Sequence, residues 1–443
     1  MSLVQSPNFT LRDTTLSQDE LMRYKRLLQW VKASGGIIGD VEIRSWPRSY
    51  ERGVFARADI QPGVFAVIPR NISLNTHNAI EHAGTELRAL LVEIRDTFGA
   101  TGEVNDRAAL AMFIVHEKLV SGERSPWFPY IDTLPQSDVR YSSLLFANPG
   151  DLERWGVKGL VGLSVESAWK AIARMFKMAK EYPALFPVSE DVLVTELRWS
   201  YYMVMSRAWT REALEMIPFA DIMNHRVNSP VTLIPNATHN NFVIFDHHGA
   251  ILRGAEVFDT YQKAPSPTLY GLSWGFVPEA SECFLPLERP VSGVSWARRR
   301  LLARLGCLSD RDHSYMAFNC AAEELDMQTT DCLRAFTMSE DKLRNATEWS
   351  SILRGRQGGG PLVEGTPDLD FAAVTEVVNI FEKVEVDWTD ENEARMADPT
   401  TDVVEKLALR IKYGVFKCVD QVRWIAARKY AEAEANKKSK RRS

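Results

Sequence analysis

The feature of this 443-residue chain that most restricts its fold is a β-rich stretch that a helical segment interrupts before the β-rich pattern resumes. Short runs of β-branched and aromatic residues, VEIRSW, GVFARADI and VFAVIP, lie between Gly39 and Leu74 and are separated by Pro and Gly. Such runs are typical of small twisted sheets. Similar runs return later as VTLIP, NFVIFD and AILRGAEVFDTY. We therefore predict an α+β fold whose small sheets are split by a helical insert at about residues 79–198.

Helical periodicity accounts for most of the remaining sequence. Residues 20–34 have apolar side chains at helical spacing and stop at Gly35-Gly36, a common C-terminal signal. The insert and the region after Pro290 show the same spacing, for example in VLVTELRWSYYMVMSRAW and SYMAFNCAAEELDMQTTDCLRAF. These patterns and the chain length predict a helical lead-in at 1–36, a β-rich domain at 37–290, an all-α domain at 291–435 and a disordered basic tail at 436–443.

Charge and cysteine content argue against several classes of function. The net charge of −5 and the pI near 6.0 give no general attraction to nucleic acid or membranes, and no apolar run approaches the roughly 20 residues that span a bilayer. The five cysteines form no CxxC pair and are odd in number. We therefore expect free thiols, no metal site and a reducing compartment, cytoplasmic or nuclear. The polar N-terminal segment predicts that the chain is not secreted.

Three short segments indicate the chemistry. They are, in chain order, RGVFA from Arg52 with PG at 62–63, SRAW from Ser206 with D-x-x-N-H at 221–225, and GAEVFDTY ending at Tyr261 with WGF at 274–276. Each segment is a weak signal by itself, because a glycine at a turn or an aromatic residue beside a glycine often arises by chance. Their order, and their separation by a long helical insert, are much more specific.

With these segments in this order, the sequence resembles the SET-domain family of protein methyltransferases, in the subclass of the plant Rubisco large-subunit lysine methyltransferase. The resemblance covers nearly the whole chain and includes the insert, where EKL at 117–119, Trp127, PYI at 129–131 and LP at 134–135 match that subclass. It implies a knot-like crossing of two chain segments, an exception to the general absence of knots. It also implies S-adenosylmethionine as cofactor, and a monomer whose helical C-terminal domain docks the protein substrate.

The resemblance gives cofactor-binding roles to the residues that match the family's motifs. Arg207 is expected to bind the carboxylate of the cofactor, since a guanidinium grips a carboxylate bidentately. Asn224 and His225 would present polar and backbone groups to the amino and adenine ends, and Phe276 would stack on the adenine. Glycine permits close approach of the backbone to a ligand, and the same cleft would be lined by the backbone of Tyr50, Arg52 and Gly53.

Methyl transfer itself sets further requirements. The reaction is an in-line displacement with little charge to neutralise, so the enzyme must aim a neutral amine at the methyl group and exclude water. A lysine, whose pKa is normally about 10.4, must first lose a proton in a dry channel. The resemblance makes Tyr261 the predicted catalytic tyrosine, its hydroxyl and ring shaping that channel, with Trp209 and Trp274 as further walls.

Three positions depart from the family's pattern. The usual Ser-Asn after the catalytic tyrosine reads Ser266-Pro267, the usual Tyr-Gly-Phe reads WGF at 274–276, and the usual Gly-Glu-Glu reads GAE at 254–256. Because proline removes a backbone donor and tryptophan is bulkier than tyrosine, these departures bring into question the channel width, the number of methyl groups added and catalytic competence. A non-catalytic binding module with the SET fold therefore stays open as an alternative. Methylation of a protein histidine is a second alternative, although the bulky Trp209 favours lysine.

Overall fold

In the computed structural model the described residues are 17–46, 51–98, 102–138, 141–210, 214–233, 242–261, 266–277, 284–290, 293–304, 307–308, 315–321, 327–344, 375–376 and 386–440. The chain divides into two compact units. The first comprises Met1–Phe146 and Leu163–Lys263, and the second comprises Ala147–Gly162 and Ala264–Ser443. The second unit thus includes a short piece of the helical insert.

Polar side chains cap several of the helices in the first half of the chain. Helix α1 (Gln18–Ala33) begins after Ser17, whose hydroxyl accepts from the Glu20 amide while the Glu20 carboxylate accepts from the Ser17 amide. This reciprocal capping box satisfies two otherwise unpaired donors. The helices that follow are α2 (Thr76–His82), α3 (Thr85–Thr97), α4 (Gly102–His116), α5 (Phe128–Ile131), α6 (Asp151–Arg154), α7 (Lys158–Lys180) and α8 (Glu190–Arg207).

The core of the first unit forms around α4. This helix packs against α3 and α8, and residues 108–115 on it are all at most 1% exposed. A helix that is apolar on every side can be stable only when it is surrounded, which explains why AALAMFIV stands at the centre of the unit. The helical insert predicted from the sequence therefore supplies the main core of this unit.

Small sheets complete the first unit. Their strands are β1 (Ile37–Ile38), β2 (Val41–Trp46), β3 (Glu51–Ala56), β4 (Gly63–Pro69), β5 (Leu74–Asn75), β6 (Ala208–Thr210), β7 (Leu214–Met216), β8 (Asn224–His225), β9 (Val231–Leu233), β10 (Phe242–His247) and β11 (Glu256–Asp259). The sheet orders are β1-β4-β10-β9, β2-β3-β11-β8 and β5-β7-β6. Strands from before and after the insert are therefore neighbours in each sheet, which confirms the predicted split α+β fold.

The second unit is mainly helical. Its further elements are α9 (Pro267–Trp274), β12 (Phe284–Pro290), α10 (Trp296–Arg304), β13 (Tyr315–Ala321), α11 (Met327–Thr337), α12 (Glu340–Arg344), α13 (Asp390–Ala397) and α14 (Val403–Lys440). Helices α9 and α14 approach closely because glycine stands on both sides of the contact. A Cβ on Gly271 would lie 2.3 Å from Cδ1 of Ile411, and one on Gly414 would lie 2.9 Å from Cβ of Pro267.

Two secondary-structure predictions in this unit are wrong. Residues 315–321 were expected to be helical, yet they form β13, which pairs antiparallel with β12 from Phe284↔Ala321 to Pro290↔Tyr315. Pairing with a partner strand overrides the helical spacing of a short apolar run, which periodicity alone cannot assign. The basic tail was expected to be disordered from residue 436, yet α14 continues to Lys440. The preceding AEAEA run consists of strong helix formers and propagates the helix.

The expectation of free thiols is also wrong. Cys307 and Cys332 form a disulfide with a Cα–Cα distance of 5.7 Å, and Cys418 is disulfide-bonded as well. Cys307 follows α10 and Cys332 lies in α11, and the packing of these helices brings together two residues that are 25 positions apart. None of the helices within the described ranges is long and apolar enough to cross a membrane. In the same ranges, no group of three or more His, Cys, Asp or Glu could hold a metal ion.

Candidate active site

The parallel pair β8–β11 brings the Asn-His segment beside Tyr261. Asn224 lies opposite Phe258, and His225 lies opposite Asp259. The amide of Tyr261 donates to Nδ1 of His225 at 3.2 Å, and the two ring centroids are 5.3 Å apart. The Tyr261 hydroxyl donates to the carbonyl of residue 223 at 2.8 Å. Segment 223–225 therefore fixes both the backbone and the ring of Tyr261.

The side chains of His225 and Tyr261 are both neutral at pH 7. Burial lowers the pKa of the His225 imidazole. Since a backbone amide can only donate, Nδ1 of His225 is the acceptor and its ring proton lies on Nε2. Burial raises the pKa of the Tyr261 hydroxyl, and among its charged neighbours Arg207 lowers that pKa whereas Asp259 and Asp221 raise it. Tyr261 therefore remains a protonated donor.

Asn224 links three strands of one sheet. Its Nδ2 donates to the carbonyl of Arg52 on β3 at 2.8 Å and to Oε1 of Glu256 on β11 at 2.7 Å. Gly53 leaves the room for this arrangement, because a Cβ there would lie 2.4 Å from the same Glu256 oxygen. The Asn224 amide, which the sequence assigned to a ligand, is thus used within the fold. Glu256 is a residue of this arrangement that the sequence analysis recorded only as part of a motif.

Arg207, the last residue of α8, is held against a buried carboxylate. Its Nη1 donates to the carbonyl of Asp221 at 3.0 Å and to Oδ2 of Asp221 at 3.3 Å, and the Tyr130 hydroxyl donates to the same Oδ2 at 3.0 Å. The Asp221 side chain is fully buried, whereas 17% of the Arg207 side chain is exposed. Nε of Arg207 and Oδ1 of Asp221 are buried without a hydrogen-bond partner in the described part of the chain.

A second guanidinium lies near the same carboxylate. Arg52 donates from Nη1 to the hydroxyl of Tyr24 at 3.1 Å and to the carbonyl of Thr133, and it interacts electrostatically with Asp221. Its Nη2 is buried without a hydrogen-bond partner among the described residues. Arg52, Arg207 and Asp221, named here the guanidinium cluster, have two positive charges and one negative charge (2 − 1 = +1). The cluster therefore favours an anion.

Trp209 on β6 packs against a buried aromatic ring, and Asp259 on β11 is a buried acid. The ring of Trp209 meets that of Phe245 edge-on at 6.3 Å. Asp259 is only 5% exposed, and its Oδ1 accepts from the Thr260 amide at 2.7 Å. Burial raises the pKa of the Asp259 carboxyl despite the hydrogen bond from the Thr260 amide, which lowers it. The sequence analysis did not identify Asp259.

The remaining predicted positions belong to the second unit or fall outside the described residues. Trp274 and Phe276 belong to the second unit, where their ring centroids are 4.7 Å and 5.2 Å from that of the buried Tyr270. Pro267, which departs from the family's pattern, occupies the first turn of α9 after the cap Ser266. A proline is well suited to that position, because its missing N–H would have no helical partner. Tyr50 lies outside the described residues.

Comparison with solved structures identifies the fold of the chain. No family model matches the chain. An uncharacterized protein of Schizosaccharomyces pombe is 24% identical over 294 residues, which cover 59% of this chain and little more than half, 56%, of that protein. A structure of Rubisco LSMT bound to AdoMet superimposes with a TM-score of 0.64 at 17% identity, covering 95% of this chain and 94% of that one. A structure of the SET domain of LSMT bound to lysine and AdoHcy gives 0.64 at 16%, covering 94% and 93%. The chain therefore shares the fold of these SET-domain structures.

Proposed function

We propose that this protein transfers a methyl group from S-adenosylmethionine to a lysine side chain of a protein substrate. The observation that carries the proposal is the guanidinium cluster, with its excess positive charge and its unpaired buried donors, close to the protonated Tyr261. The fold adds support, because solved proteins that share it are described as bound to AdoMet, to AdoHcy, to lysine and to methyllysine.

The residues present fit the anionic end of this cofactor. A guanidinium offers donors on more than one edge, and Asp221 engages only Nη1 of Arg207. A buried donor left unpaired costs about 1–3 kcal/mol, so the Nε edge of Arg207 gains most from a carboxylate acceptor. The methionyl carboxylate would supply that acceptor and would balance the excess positive charge of the cluster.

The other cofactor contacts are assigned by considering which polar groups already form hydrogen bonds within the protein. Because the Asn224 amide is bound to Glu256 and to the Arg52 carbonyl, we assign the amino and adenine ends to backbone groups at Asn224 and His225. Gly53 lets the neighbouring strand approach without a Cβ. The contribution of the Tyr50 backbone and the stacking of Phe276 on adenine rest on the sequence resemblance alone.

The chain's own part in the reaction is to orient an amine and to exclude water. Bound S-adenosylmethionine would supply an activated methyl group on a positively charged sulfur. Tyr261 suits the role of guide, because its hydroxyl stays protonated and its bond to the residue 223 carbonyl fixes the ring. The neutral His225 beside it adds no positive charge that would repel a substrate ammonium. In such a buried channel the neutral form of lysine is favoured over the charged form, as attack requires.

The wider organisation of the enzyme is assigned from the resemblance. We infer that the helical second unit docks the protein substrate, and that Trp274 forms part of the channel wall. We also propose that the protein binds cofactor and substrate as a monomer. The Ser266-Pro267 departure is compatible with this proposal, since Pro267 begins a helix and removes no donor that the helix needs.

The proposal is tested with the full-length protein in two measurements. Calorimetry should detect binding of S-adenosylhomocysteine, and incubation with tritiated S-adenosylmethionine and cell lysate should label a protein whose modified residue mass spectrometry identifies as lysine. Label on histidine would refute lysine specificity and support the histidine alternative. Cofactor binding without any transfer would point to the non-catalytic module, and absence of binding would refute the proposed function.

A further inference from the structure

We propose that Tyr130 is a positioning residue for the cofactor, whose hydroxyl fixes the Asp221 carboxylate and, through it, the orientation in which Arg207 receives the cofactor carboxylate. The inference rests on the proposed function, because it concerns the arginine that is proposed to bind S-adenosylmethionine. Tyr130 itself is not expected to contact cofactor or substrate. It acts through Asp221, from the side of the helical insert.

The Asp221 carboxylate is held at one of its two oxygens. Its Oδ2 accepts from the Tyr130 hydroxyl at 3.0 Å and from Nη1 of Arg207 at 3.3 Å. The contact with Arg207 is slightly longer than usual for a hydrogen bond from nitrogen to oxygen, so by itself it is a weak restraint. Oδ1 of Asp221 has no hydrogen-bond partner among the described residues. The tyrosine therefore supplies the shorter of the two side-chain hydrogen bonds that orient this carboxylate.

Tyr130 lies on a turn that is itself held in place. Its ring is fully buried, and its carbonyl accepts from the amide and the hydroxyl of Thr133 at 2.9 Å and 2.7 Å. Asp132, between these two residues, accepts from Arg26 of α1 at 3.1 Å. The carbonyl of Thr133 also accepts from Nη1 of Arg52. Because hydrogen bonds fix the turn, the Tyr130 hydroxyl is a donor in a defined position.

The hydroxyl of Tyr130 remains protonated. Burial raises its pKa well above the ordinary value, and the Asp221 charge raises it further, whereas Arg207 lowers it. Phenylalanine would fill nearly the same volume, so packing alone does not require a hydroxyl at this position. A buried hydroxyl is costly unless it forms a hydrogen bond, and the partner here is the carboxylate that binds Arg207. What the hydroxyl contributes is therefore a proton donor directed at Asp221.

The effect on Arg207 follows from the shape of its guanidinium. Nη1 donates to the Asp221 carbonyl at 3.0 Å and to Oδ2, while Nε is buried without a hydrogen-bond partner in the described ranges. Because the group is planar and rigid, the contacts of Nη1 also restrict the direction of the Nε–H bond. A donor that is oriented before the ligand arrives binds more tightly, since less ordering is required on binding. Without the Tyr130 hydroxyl, Asp221 and Arg207 would lose part of this restraint.

The test uses Tyr130→Phe in the full-length protein, which removes only the hydroxyl. In calorimetry the dissociation constant of S-adenosylhomocysteine should rise on the order of fivefold, the effect of one net hydrogen bond. KM for S-adenosylmethionine should rise by a similar factor, whereas kcat at saturating cofactor should fall much less. This difference is expected because Tyr130 orients a cofactor contact and does not touch the reacting atoms.

A matched variant separates positioning from general destabilisation. Tyr141 also lies in the helical insert, and its hydroxyl donates to the carbonyl of Gln136. Tyr141→Phe should lower the urea midpoint and leave the affinity for S-adenosylhomocysteine unchanged. In a double-mutant cycle, Tyr130→Phe should weaken binding much less in the Arg207→Lys background, because the guanidinium that it positions is absent there.

A spectroscopic measurement reads the orientation of Arg207 directly. In protein labelled with 15N at arginine, the Nε signal of Arg207 is assigned by its loss in Arg207→Lys. Tyr130→Phe should move this signal in the absence of ligand, whereas Tyr141→Phe should not. In wild type, S-adenosylhomocysteine should shift the proton of this group downfield, because Nε gains a charged acceptor.

Each contrary outcome has a defined meaning. Wild-type affinity in folded Tyr130→Phe would overturn the inference, and so would an unmoved Arg207 signal. Equal losses of affinity in the Arg207 and Arg207→Lys backgrounds would show that the tyrosine does not act through Arg207. An unfolded Tyr130→Phe protein would make the residue structural and would overturn the positioning role. A wild-type protein that does not bind S-adenosylhomocysteine would instead refute the proposed function, and the inference with it. Because the effect of Tyr130→Phe on the Arg207 signal is read before ligand is added, these failures are distinguishable.

Discussion

Replacing Arg207 by lysine should weaken cofactor binding while leaving the fold largely intact. The guanidinium uses Nη1 for Asp221, and its buried Nε is the donor left for a ligand. Lysine keeps the positive charge but has one nitrogen on a flexible stem, which cannot serve both partners with the fork geometry of arginine. Arg207→Lys therefore separates the structural contact from the ligand contact.

The magnitudes follow from these contacts. Loss of hydrogen bonding to a charged carboxylate corresponds to about 1.5–3 kcal/mol, or roughly 10-fold to 150-fold in the dissociation constant of S-adenosylhomocysteine. The fold should lose only about 1 kcal/mol, because the lysine amine can still reach Asp221 and the Tyr130 hydroxyl remains bound to it. Arg207→Ala should be worse, at about 3 kcal/mol of unfolding free energy, since it leaves a fully buried carboxylate without the cation that is hydrogen-bonded to it.

Calorimetry with S-adenosylhomocysteine and urea unfolding of the same samples measure the two quantities. Arg174→Lys is a suitable control, because Arg174 also donates two hydrogen bonds, in its case to the backbone carbonyls of Phe98 and Thr97, but lies in the helical insert. It should lower stability slightly and leave cofactor affinity unchanged. Wild-type affinity in a folded Arg207→Lys protein would refute the reasoning, because the Nε edge would then have no ligand to bind.

Three further results are expected. Gly53→Ala should lower the free energy of unfolding by about 1–3 kcal/mol in urea titrations, because the new Cβ would lie 2.4 Å from Oε1 of Glu256 and would push that carboxylate away. Unchanged stability would show that the Glu256 side chain moves aside without cost. Tyr261→Phe should keep cofactor affinity but slow turnover on the order of tenfold or more, and equal rates and products would make the tyrosine structural. Because burial raises the pKa of the Asp259 carboxyl above its ordinary value of about 4, ionisation of this one group costs wild-type stability as pH rises, and Asp259→Asn removes that cost. The melting temperature of the variant relative to wild type should therefore increase between about pH 4 and about pH 7, and a constant difference would contradict the shift.

Much of the fold follows from local signals in the sequence. The capping box at Ser17 and the glycines at 35–36 define α1, and alternating apolar runs define the strands on both sides of the insert. The wrong predictions concern residues whose structure depends on a partner far away in the sequence. Strand β13 exists because β12 pairs with it, and Cys307 meets Cys332 because two helices pack, so neither could be read from local spacing.

The candidate site shows the same division. The order of the motifs predicted that Arg207, Asn224 and Tyr261 contribute to the same site. In the structure, electrostatic and hydrogen-bond contacts link the segments that contain these residues within one unit. The partners that hold them were not predicted, because Tyr130 is 91 positions from Asp221 in the sequence. One signal was present for Asp259: it is a charged residue at an inward position of a strand, between Val257 and Tyr261.

The insert that interrupts the β-rich stretch also supports the site. Tyr130 and Thr133, which lie within the PYI…LP segment, contact Asp221 and Arg52 from the insert side, and Tyr24 on α1 completes the shell around Arg52. Each hydrogen bond from these hydroxyl and carbonyl groups lowers the cost of burying two guanidinium groups and one carboxylate. The β-rich segments by themselves supply the Asn-His pair and Tyr261 but leave the arginines without these partners. The helical insert is therefore as necessary to the candidate site as the three β-segment motifs.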